Sequence, residues 1–253
     1  ENFQRMYELK KRQIEQAYEK QQKEIADLQD FIARNKARVA TTNMAKSRQK
    51  KLDKMDKITL MSEKPKPQFS FASARTPGRI VIECSDLVLG YDEPLTKPLS
   101  LKLECNQKVA IKGVNGLGKS TLLKTLLKLI QPISGTVEHD QFVEIGYFEQ
   151  EENASSKTAL QTIWDEYPAM TNAEVRAALA RCGLTTDHIT SQMRVLSGGE
   201  NAKVRLCRVM LKNINLLVLD EPTNHLDVDA KDSLKEAIRN FKGTVLLVSH
   251  EPE

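Results

Sequence analysis

The sequence predicts an α/β domain that is preceded by an antiparallel hairpin of two α-helices. Three observations support this fold class. The first 62 residues contain no glycine or proline and carry apolar residues at helical spacing. From Arg79 onward, short β-rich runs alternate with helical segments. A glycine-rich loop joins one of these runs to the next predicted helix.

The composition is that of an ordinary globular protein. The chain has 253 residues, of which 40% are hydrophobic and 28% charged, so it can bury a sizeable core. Its longest apolar runs, at 216–219 and 245–248, are far shorter than the roughly 20 residues that cross a bilayer. The first residues lack the features of a signal peptide. We therefore expect a cytosolic protein with no membrane span.

The cysteines do not form a pattern typical of metal binding or of a disulfide framework. All four are widely separated, and none belongs to a Cys-x-x-Cys pair or a Cys/His cluster. We expect no zinc site, and we expect these side chains to be small buried hydrophobes: Cys84, Cys105, Cys182 and Cys207.

The pattern along the chain predicts three regions. A helical hairpin is expected over 1–62, with its tip at about 40–46, where a β-branched and polar run interrupts the apolar stripe. Pro65 and Pro67 then end the helix, and a connecting linker is expected over 63–78. The α/β domain is expected over 79–253, with a helical part at about 151–213 and a closing parallel βαβ unit.

The basic residues are concentrated in the hairpin. Between Arg34 and Lys57 the chain has nine basic and two acidic residues, so this stretch carries a net charge of +7. The net charge of the whole chain is only +4. This asymmetry indicates a polyanionic partner for that stretch. The alternative is a solvated hairpin whose lysines only keep it soluble. The candidates for RNA contact flank the predicted tip: Arg34, Lys36, Arg38, Lys46, Arg48, Lys50 and Lys51.

The glycine-rich loop has the pattern of a phosphate-binding loop. Its sequence is Gly113-Val114-Asn115-Gly116-Leu117-Gly118-Lys119-Ser120, between a β-rich run and a predicted helix. In such a loop, backbone amides and a helix N-terminus surround phosphate oxygens, the lysine reaches the β- and γ-phosphates, and the serine hydroxyl ligates Mg²⁺. A strand-to-helix turn that matches by chance is the alternative. The expected ATP-binding residues here are Gly113, Asn115, Gly116, Gly118, Lys119, Ser120 and Thr121.

Two carboxylates follow the apolar run at 216–219. Asp220 stands at the end of this predicted strand, where a carboxylate can hold Mg²⁺, and Glu221 can orient or deprotonate an attacking water. Acidic residues that merely end a strand at a solvated loop are common. The phosphate-binding loop elsewhere in the chain favours the catalytic interpretation.

A third motif begins a predicted helix at Leu196-Ser197-Gly198-Gly199-Glu200. Ser197 and Glu200 have the spacing of a capping box, and the two glycines leave amides exposed at the positive end of the helix. Such a helix start is suited to a second anion. As a bare helix cap it is unremarkable.

Together, the three motifs resemble the nucleotide-binding domain of ATP-binding cassette proteins, a P-loop NTPase fold, over about Ile80 to the end. The resemblance implies ATP and Mg²⁺ as cofactors and assigns further roles. Tyr91 resembles the aromatic residue that stacks on adenine, and Gln150 the loop glutamine near Mg²⁺ and the lytic water. Asp227 lies in the loop that crosses to a partner domain, and His250 resembles the switch histidine at the γ-phosphate.

The resemblance also implies that the loop at Ser197–Glu200 completes the ATP site of a second cassette. One phosphate-binding loop and no internal repeat are present, so we expect a second cassette in the same full-length chain or a homodimer mate. The sequence ends at Glu253, directly after the switch position, so we expect a cassette that is truncated at its C-terminal end.

Glu200, the Asn224-His225 pair and the preceding hairpin resemble F-type proteins, the soluble tandem-cassette translation factors. This resemblance implies an inter-cassette hairpin that reaches the tRNA site of the ribosome. Rescue of stalled translation, antibiotic resistance and ribosome assembly are open alternatives. Two rival functions are an ATPase subunit that docks on separate membrane proteins and an ATP-gated clamp that does not hydrolyse ATP.

Overall fold

The computed structural model describes residues 2–35, 42–53, 55, 66–113, 116–149 and 155–249. The chain forms two compact units, Glu1–Glu63 and Lys64–Glu253. The first unit contains helices α1 (Asn2–Asn35) and α2 (Thr42–Asp53).

The second unit contains nine described strands and six described α-helices. The strands are β1 (Ala72–Ser73), β2 (Ile80–Val88), β3 (Leu99–Glu104), β4 (Lys108–Ile111), β5 (Ser134–His139), β6 (Ile145–Phe148), β7 (Asn213–Ile214), β8 (Leu216–Asp220) and β9 (Thr244–Val248). The helices are α3 (Lys119–Leu126), α4 (Ala159–Glu166), α5 (Asn172–Arg181), α6 (Thr186–Thr190), α7 (Gly198–Met210) and α8 (Val228–Asn240).

The first unit is an antiparallel helical hairpin, which confirms the predicted fold of this region. The Lys51 Nζ atom lies 2.8 Å from Glu24 Oε1, and the Arg48 guanidinium lies 3.6 Å from the centre of the Phe31 ring. The later of the two α2 residues therefore contacts the earlier of the two α1 residues, as in an antiparallel pair of helices. Leu28 is the one described apolar residue of the hairpin that is buried.

The predicted hairpin tip at about 40–46 is too long. Helix α2 already begins at Thr42, so 42–46 are helical. Threonine and asparagine are favoured at helix N-termini, and methionine, alanine and lysine are good helix formers. Positions 40 and 41 of the predicted tip lie outside the described residues.

The linker that was predicted over 63–78 is corrected, because 66–78 form part of the α/β domain. Phe69 is buried in the same apolar core as the strands, and Phe71 packs edge-to-face on Phe241 with ring centres 6.1 Å apart. Strand β1 pairs in parallel with β7. The prolines exclude a helix here, but the apolar side chains that follow them still gain free energy from burial.

Two sheets form the centre of the second unit. Strands β3, β2 and β5 form an antiparallel sheet, and β4, β9, β8 and β6 form a parallel sheet in that order. The predicted βαβ unit is confirmed, since β8 and β9 are parallel neighbours with α8 between them in the chain.

The two central strands of the parallel sheet, β8 and β9, are buried, as their continuous apolar sequences indicate. On β8, Leu217 and Leu219 face one apolar cluster, shared with α7 and α8. Leu216 and Val218 face a second cluster, which includes α3 and the antiparallel sheet. The carboxyl ends of the four parallel strands consequently share one edge, from which the loops to α3, α8 and the helical part leave.

The helices of the second unit begin at well-formed N-caps. The capping box predicted at Ser197/Glu200 is present, and α4, α5 and α6 have the same arrangement. Among the described helices, none is both long and apolar enough to cross a membrane. Three of the four free cysteines, Cys84, Cys182 and Cys207, are buried.

Candidate functional site: a nucleotide phosphate site at the edge of the parallel sheet

The glycine-rich loop leaves the carboxyl end of β4 and enters α3. Gly116 and Gly118 have φ values of +83° and +79°, the left-handed region that favours glycine. A Cβ atom on Gly116 would meet nothing within 4 Å. The requirement for glycine is therefore conformational, and the space above the loop is open to a ligand. Asn115 lies outside the described residues.

The lysine of this loop lies where the loop enters α3. Lys119 is the first residue of α3 and is largely buried, and its Nζ atom donates to the Gly113 carbonyl oxygen at 2.8 Å. The ammonium group thus lies beside the N-terminus of α3, whose free amides and dipole also favour an anion. Ser120 and Thr121 follow in the first turn of this helix.

Ser120 joins this loop to the end of β8. Its hydroxyl hydrogen-bonds to the carboxylate of Asp220, which is buried. The Oδ1 atom of Asp220 has no hydrogen-bond partner among the described residues. Burial raises the pKa of this carboxyl, the Ser120 hydrogen bond lowers it, and the nearby Glu221 charge raises it further. A buried carboxylate oxygen without a donor is costly unless a cation compensates it.

The donor set fits Mg²⁺. This ion prefers oxygen ligands and keeps several waters and phosphate oxygens, so one carboxylate and one hydroxyl suffice. No group of three or more His, Cys, Asp or Glu residues in the described part of the chain could hold a metal by itself. The third expected ligand, Gln150, lies outside the described residues.

Glu221 adopts an unusual backbone conformation directly after β8. Its φ is 49°, which is strained for a residue with a side chain. Its amide donates to the Val248 carbonyl oxygen at 3.0 Å, and its Oε2 atom accepts a hydrogen bond from Asn224 Nδ2 at 2.7 Å. The carboxylate is therefore oriented by a neighbouring amide at the edge of the sheet.

Lys124 adds a second cation on α3. It forms an ion pair of 2.6 Å with Glu149, the residue after β6. The pKa of Lys124 is raised, mainly by this hydrogen bond, with smaller contributions from Tyr91 and Asp220. Tyr91, the predicted adenine-stacking residue, is thus close enough to α3 to contribute to the pKa of Lys124. Its side chain is 66% exposed.

The loop at Ser197–Glu200 packs on the loop that follows Asp220 and Glu221. A Cβ atom on Gly199 would lie 2.6 Å from the His225 carbonyl oxygen, and one on Gly198 would lie 3.0 Å from the His225 ring. Both glycines are required for this close approach. Glu200 accepts a hydrogen bond from the Ser197 amide and lies 3.2 Å from His188 Nε2.

Asp227 caps the N-terminus of α8. One of its carboxylate oxygens accepts a hydrogen bond from the Ala230 amide at 2.8 Å. The other lies 2.7 Å from the Nζ atom of Lys203, on α7. Its predicted role at a partner domain is not tested by these contacts. His250, the predicted switch residue, lies outside the described residues, directly after Ser249.

Two residues near the site received no role in the sequence analysis. The hydroxyl of Tyr147, on β6, is buried with no hydrogen-bond partner in the described structure. Burial raises its pKa, and the charges of Glu149 and Asp220 add to this effect. Leu95 is 53% exposed and lies beside Gly118. Neither residue belongs to a motif, so only the fold shows that they are close to the loop.

The basic residues of the hairpin differ in their contacts. Arg34 pairs with Asp30 at 2.9 Å, while Arg48 and Lys51 contact Phe31 and Glu24 as described above. Lys46 and Lys50 are exposed on α2. Lys36 and Arg38 lie outside the described residues.

Comparison with known families identifies the domain. A family model described as ABC transporter matches 96–224, and a second model with the same description matches 1–71. The chain belongs to the ABC transporter family of ATP-binding cassettes. The cassette is 59% identical to the uncharacterized ABC transporter ATP-binding protein YfmM of Bacillus subtilis, over 99% of this chain and 49% of that protein.

Other relatives confirm the predicted F-type resemblance. The ABC transporter F family member 2 of Arabidopsis thaliana is 41% identical over 93% of this chain and 36% of its own length. Protein GCN20 of Saccharomyces cerevisiae is 33% identical over 96% of this chain and 33% of its own length. The chain therefore spans half or less of the length of these curated relatives.

Solved structures confirm the P-loop cassette fold. A cassette of Pyrococcus furiosus, described as a putative ABC transporter, gives a TM-score of 0.56 at 26% identity, over 68% of this chain and 92% of that chain. The cassette MJ0796, in a dimeric post-hydrolysis state bound to ADP and Pi, gives a TM-score of 0.59 at 22% identity, over 67% of this chain and 88% of that chain. The second likeness shows the fold alone.

The Asp220 environment leads to a prediction about stability and metal dependence. In the nucleotide-free cassette at pH 7, Asp220→Asn should increase the free energy of unfolding by on the order of 1 kcal/mol, because it removes a buried charge. The folded-state pKa of Asp220 is raised above 3.8, so wild-type stability falls as pH rises through that range. The gain should accordingly diminish as the pH falls through this range and disappear below the unfolded-state pKa of 3.8, where the carboxyl is protonated in both states. Urea unfolding monitored by Trp164, the single tryptophan, measures it.

The same variant should lose the increase in ATP affinity that Mg²⁺ gives the wild type, measured with a fluorescent ATP analogue. Asp165→Asn, on α4 and exposed, is the matched control and should behave as wild type in both measurements. A variant that is destabilised at pH 7 and still binds ATP in a Mg²⁺-dependent manner would contradict this assignment of Asp220.

Proposed function

We propose that the chain is part of a cytoplasmic ATP-binding cassette ATPase of the F-type subfamily. This ATPase hydrolyses ATP with Mg²⁺, needs a second cassette for full activity and acts on the ribosome. The observation that supports hydrolysis best is the placement of three groups at one sheet edge. Ser120 and the buried Asp220 are hydrogen-bonded to each other, and Glu221 follows with its carboxylate oriented by Asn224.

We assign each residue of the site a separate role in the reaction. The amides of the glycine-rich loop and Lys119 bind the β- and γ-phosphates. Ser120, Asp220 and Gln150 would hold Mg²⁺, which when bound neutralises charge on the phosphate oxygens. Glu221 orients a water and accepts its proton as the water attacks the γ-phosphate. His250 is assigned to the γ-phosphate, and Tyr91 to adenine, by resemblance.

A second cassette is proposed from the family resemblance, which implies that ATP held by the phosphate loop of one cassette is completed by the Ser197–Glu200 loop of another. The phosphate loop precedes α3, whereas the loop at Ser197–Glu200 begins α7 and is held against His225. In the proposed assembly, the amides of this loop and Asp227 contact the ATP site of the partner cassette. The dimeric state of the similar cassette MJ0796 supports such an assembly.

Ribosome binding is proposed from the hairpin and the relatives. Lys46 and Lys50 are exposed on a helix whose flanking stretch carries the basic excess of the chain. Lysines of this kind neutralise RNA phosphates, with an affinity that falls as salt concentration rises. The F family relatives favour this function over a transporter subunit that docks on membrane proteins.

Hydrolysis is tested in the full-length protein. Glu221→Gln should lower the rate of phosphate release by about 100-fold or more, because it removes the general base, while ATP affinity stays unchanged. Glu236→Gln, on the exposed side of α8, is the matched control and should keep the wild-type rate. Equal rates of phosphate release by wild type and Glu221→Gln would refute the assignment of Glu221 as the general base. A wild-type protein that binds ATP but releases no phosphate would favour the clamp that does not hydrolyse ATP.

Ribosome binding is tested by cosedimentation of the full-length Glu221→Gln protein with ribosomes in ATP. Adding Lys46→Glu and Lys50→Glu should weaken binding at least tenfold and reduce its salt dependence. Adding Lys20→Glu and Lys23→Glu on α1 gives the same change in charge at exposed positions outside the basic stretch, and should change binding little. Equal losses in both pairs, or cosedimentation with membranes instead, would refute the ribosomal assignment.

A further inference from the structure

Helix α7 makes two cationic contacts with the edge of the parallel sheet. Lys203, with a side chain 10% exposed, forms its 2.7 Å ion pair with Asp227, in the loop that follows β8. Arg205 donates from Nη1 to the Glu149 carbonyl oxygen, directly after β6, at 2.5 Å, and its guanidinium lies 4.8 Å from the Phe148 ring centre. Both contacts join α7 to segments that are distant in sequence.

The two cations extend from opposite sides of the helix. Residues two positions apart are separated by about 200° around an α-helix. Strands β6 and β8 are parallel neighbours, with Phe148 beside Leu219. Arg205 therefore contacts the segment directly after β6, and Lys203 contacts the N-cap residue of α8, in the loop that follows β8. Since the two contacts act from opposite sides, they restrict the rotation of α7 about its own axis.

The N-terminus of the same helix carries the loop at Ser197–Glu200, which is packed against His225. His225 is two residues before Asp227, and Glu149 is ion-paired with Lys124 on the phosphate-loop helix. The contacts of Lys203 and Arg205 thus connect this loop with both segments that flank the phosphate site.

We propose that Lys203 and Arg205 are positioning residues, which hold the loop at Ser197–Glu200 in the orientation that closure on the second cassette requires. This inference rests on the proposed function. Neither side chain is assigned contact with ATP. Their loss should therefore slow hydrolysis and leave nucleotide binding to the phosphate loop of this cassette intact.

The chain offers a matched control on the same helix. Arg208, three residues after Arg205, forms an ion pair of 2.7 Å with Glu166 at the end of α4. This pair also ties α7 to another element, but it lies in the helical part and does not reach the sheet edge. Substituting Arg208, whose side chain is 32% exposed, removes a cation from α7 without changing the contacts of Lys203 and Arg205.

The test compares Lys203→Met with Arg208→Met in the full-length protein. Lys203→Met should lower kcat for ATP at least tenfold, with the affinity for a fluorescent ATP analogue within about twofold of wild type, while Arg208→Met keeps the wild-type kcat. Removing Lys203 leaves Asp227 with a side chain 55% exposed to solvent, so the urea midpoint should change little. Lys203→Arg, which retains the cation, should restore at least half of kcat.

Similar kcat values for Lys203→Met and Arg208→Met would overturn the inference, as would a Lys203→Arg variant as slow as Lys203→Met. If Lys203→Met does not fold, Arg205→Met, which breaks the second contact, decides the question with the same readouts. A wild-type protein without ATPase activity would refute the proposed function itself, and with it this inference.

Discussion

The hydrogen bond between Ser120 and Asp220 is the contact on which the phosphate site depends. It joins the first turn of α3 to the end of β8, and so connects the glycine-rich loop with Asp220. The carboxylate is buried at the centre of the sheet, where an uncompensated charge is unfavourable. The protein thus maintains a local destabilisation that a bound cation can relieve, an arrangement common at functional sites.

The parallel sheet explains why the other groups gather around this contact. Each of its strands ends at the same edge, where β4 leads to the loop, β6 to Glu149, β8 to Asp220 and β9 to Ser249. Ligand sites of open α/β sheets lie at this edge. The central strands β8 and β9 are buried, and their packing positions the groups that follow them at this edge.

Local sequence was sufficient to predict the parts of the site that depend on neighbouring residues. The glycines of the loop, the strand before Asp220 and the capping box at Ser197 are each determined within a few positions, and each was found where it was expected. The family resemblance was confirmed through the same motifs.

Long-range packing could not be predicted in this way. Phe69 follows two prolines, a pattern typical of a linker, yet it is buried because a core formed mainly by later segments accepts it. The Lys203 and Arg205 contacts span 24 and 56 residues of sequence. Nothing near these positions distinguishes a lysine that pairs with Asp227 from a lysine on a solvated helix face.

The central claim is that Ser120 and Asp220 share one Mg²⁺ with the phosphates of ATP. The most direct measurement is a crystal structure of the full-length Glu221→Gln protein with ATP and Mn²⁺, which replaces Mg²⁺ and is located by its anomalous scattering. The account predicts an anomalous peak at about 2.0–2.2 Å from the Ser120 hydroxyl oxygen, next to the Asp220 carboxylate. Nucleotide bound in the glycine-rich loop with the metal peak elsewhere would contradict it.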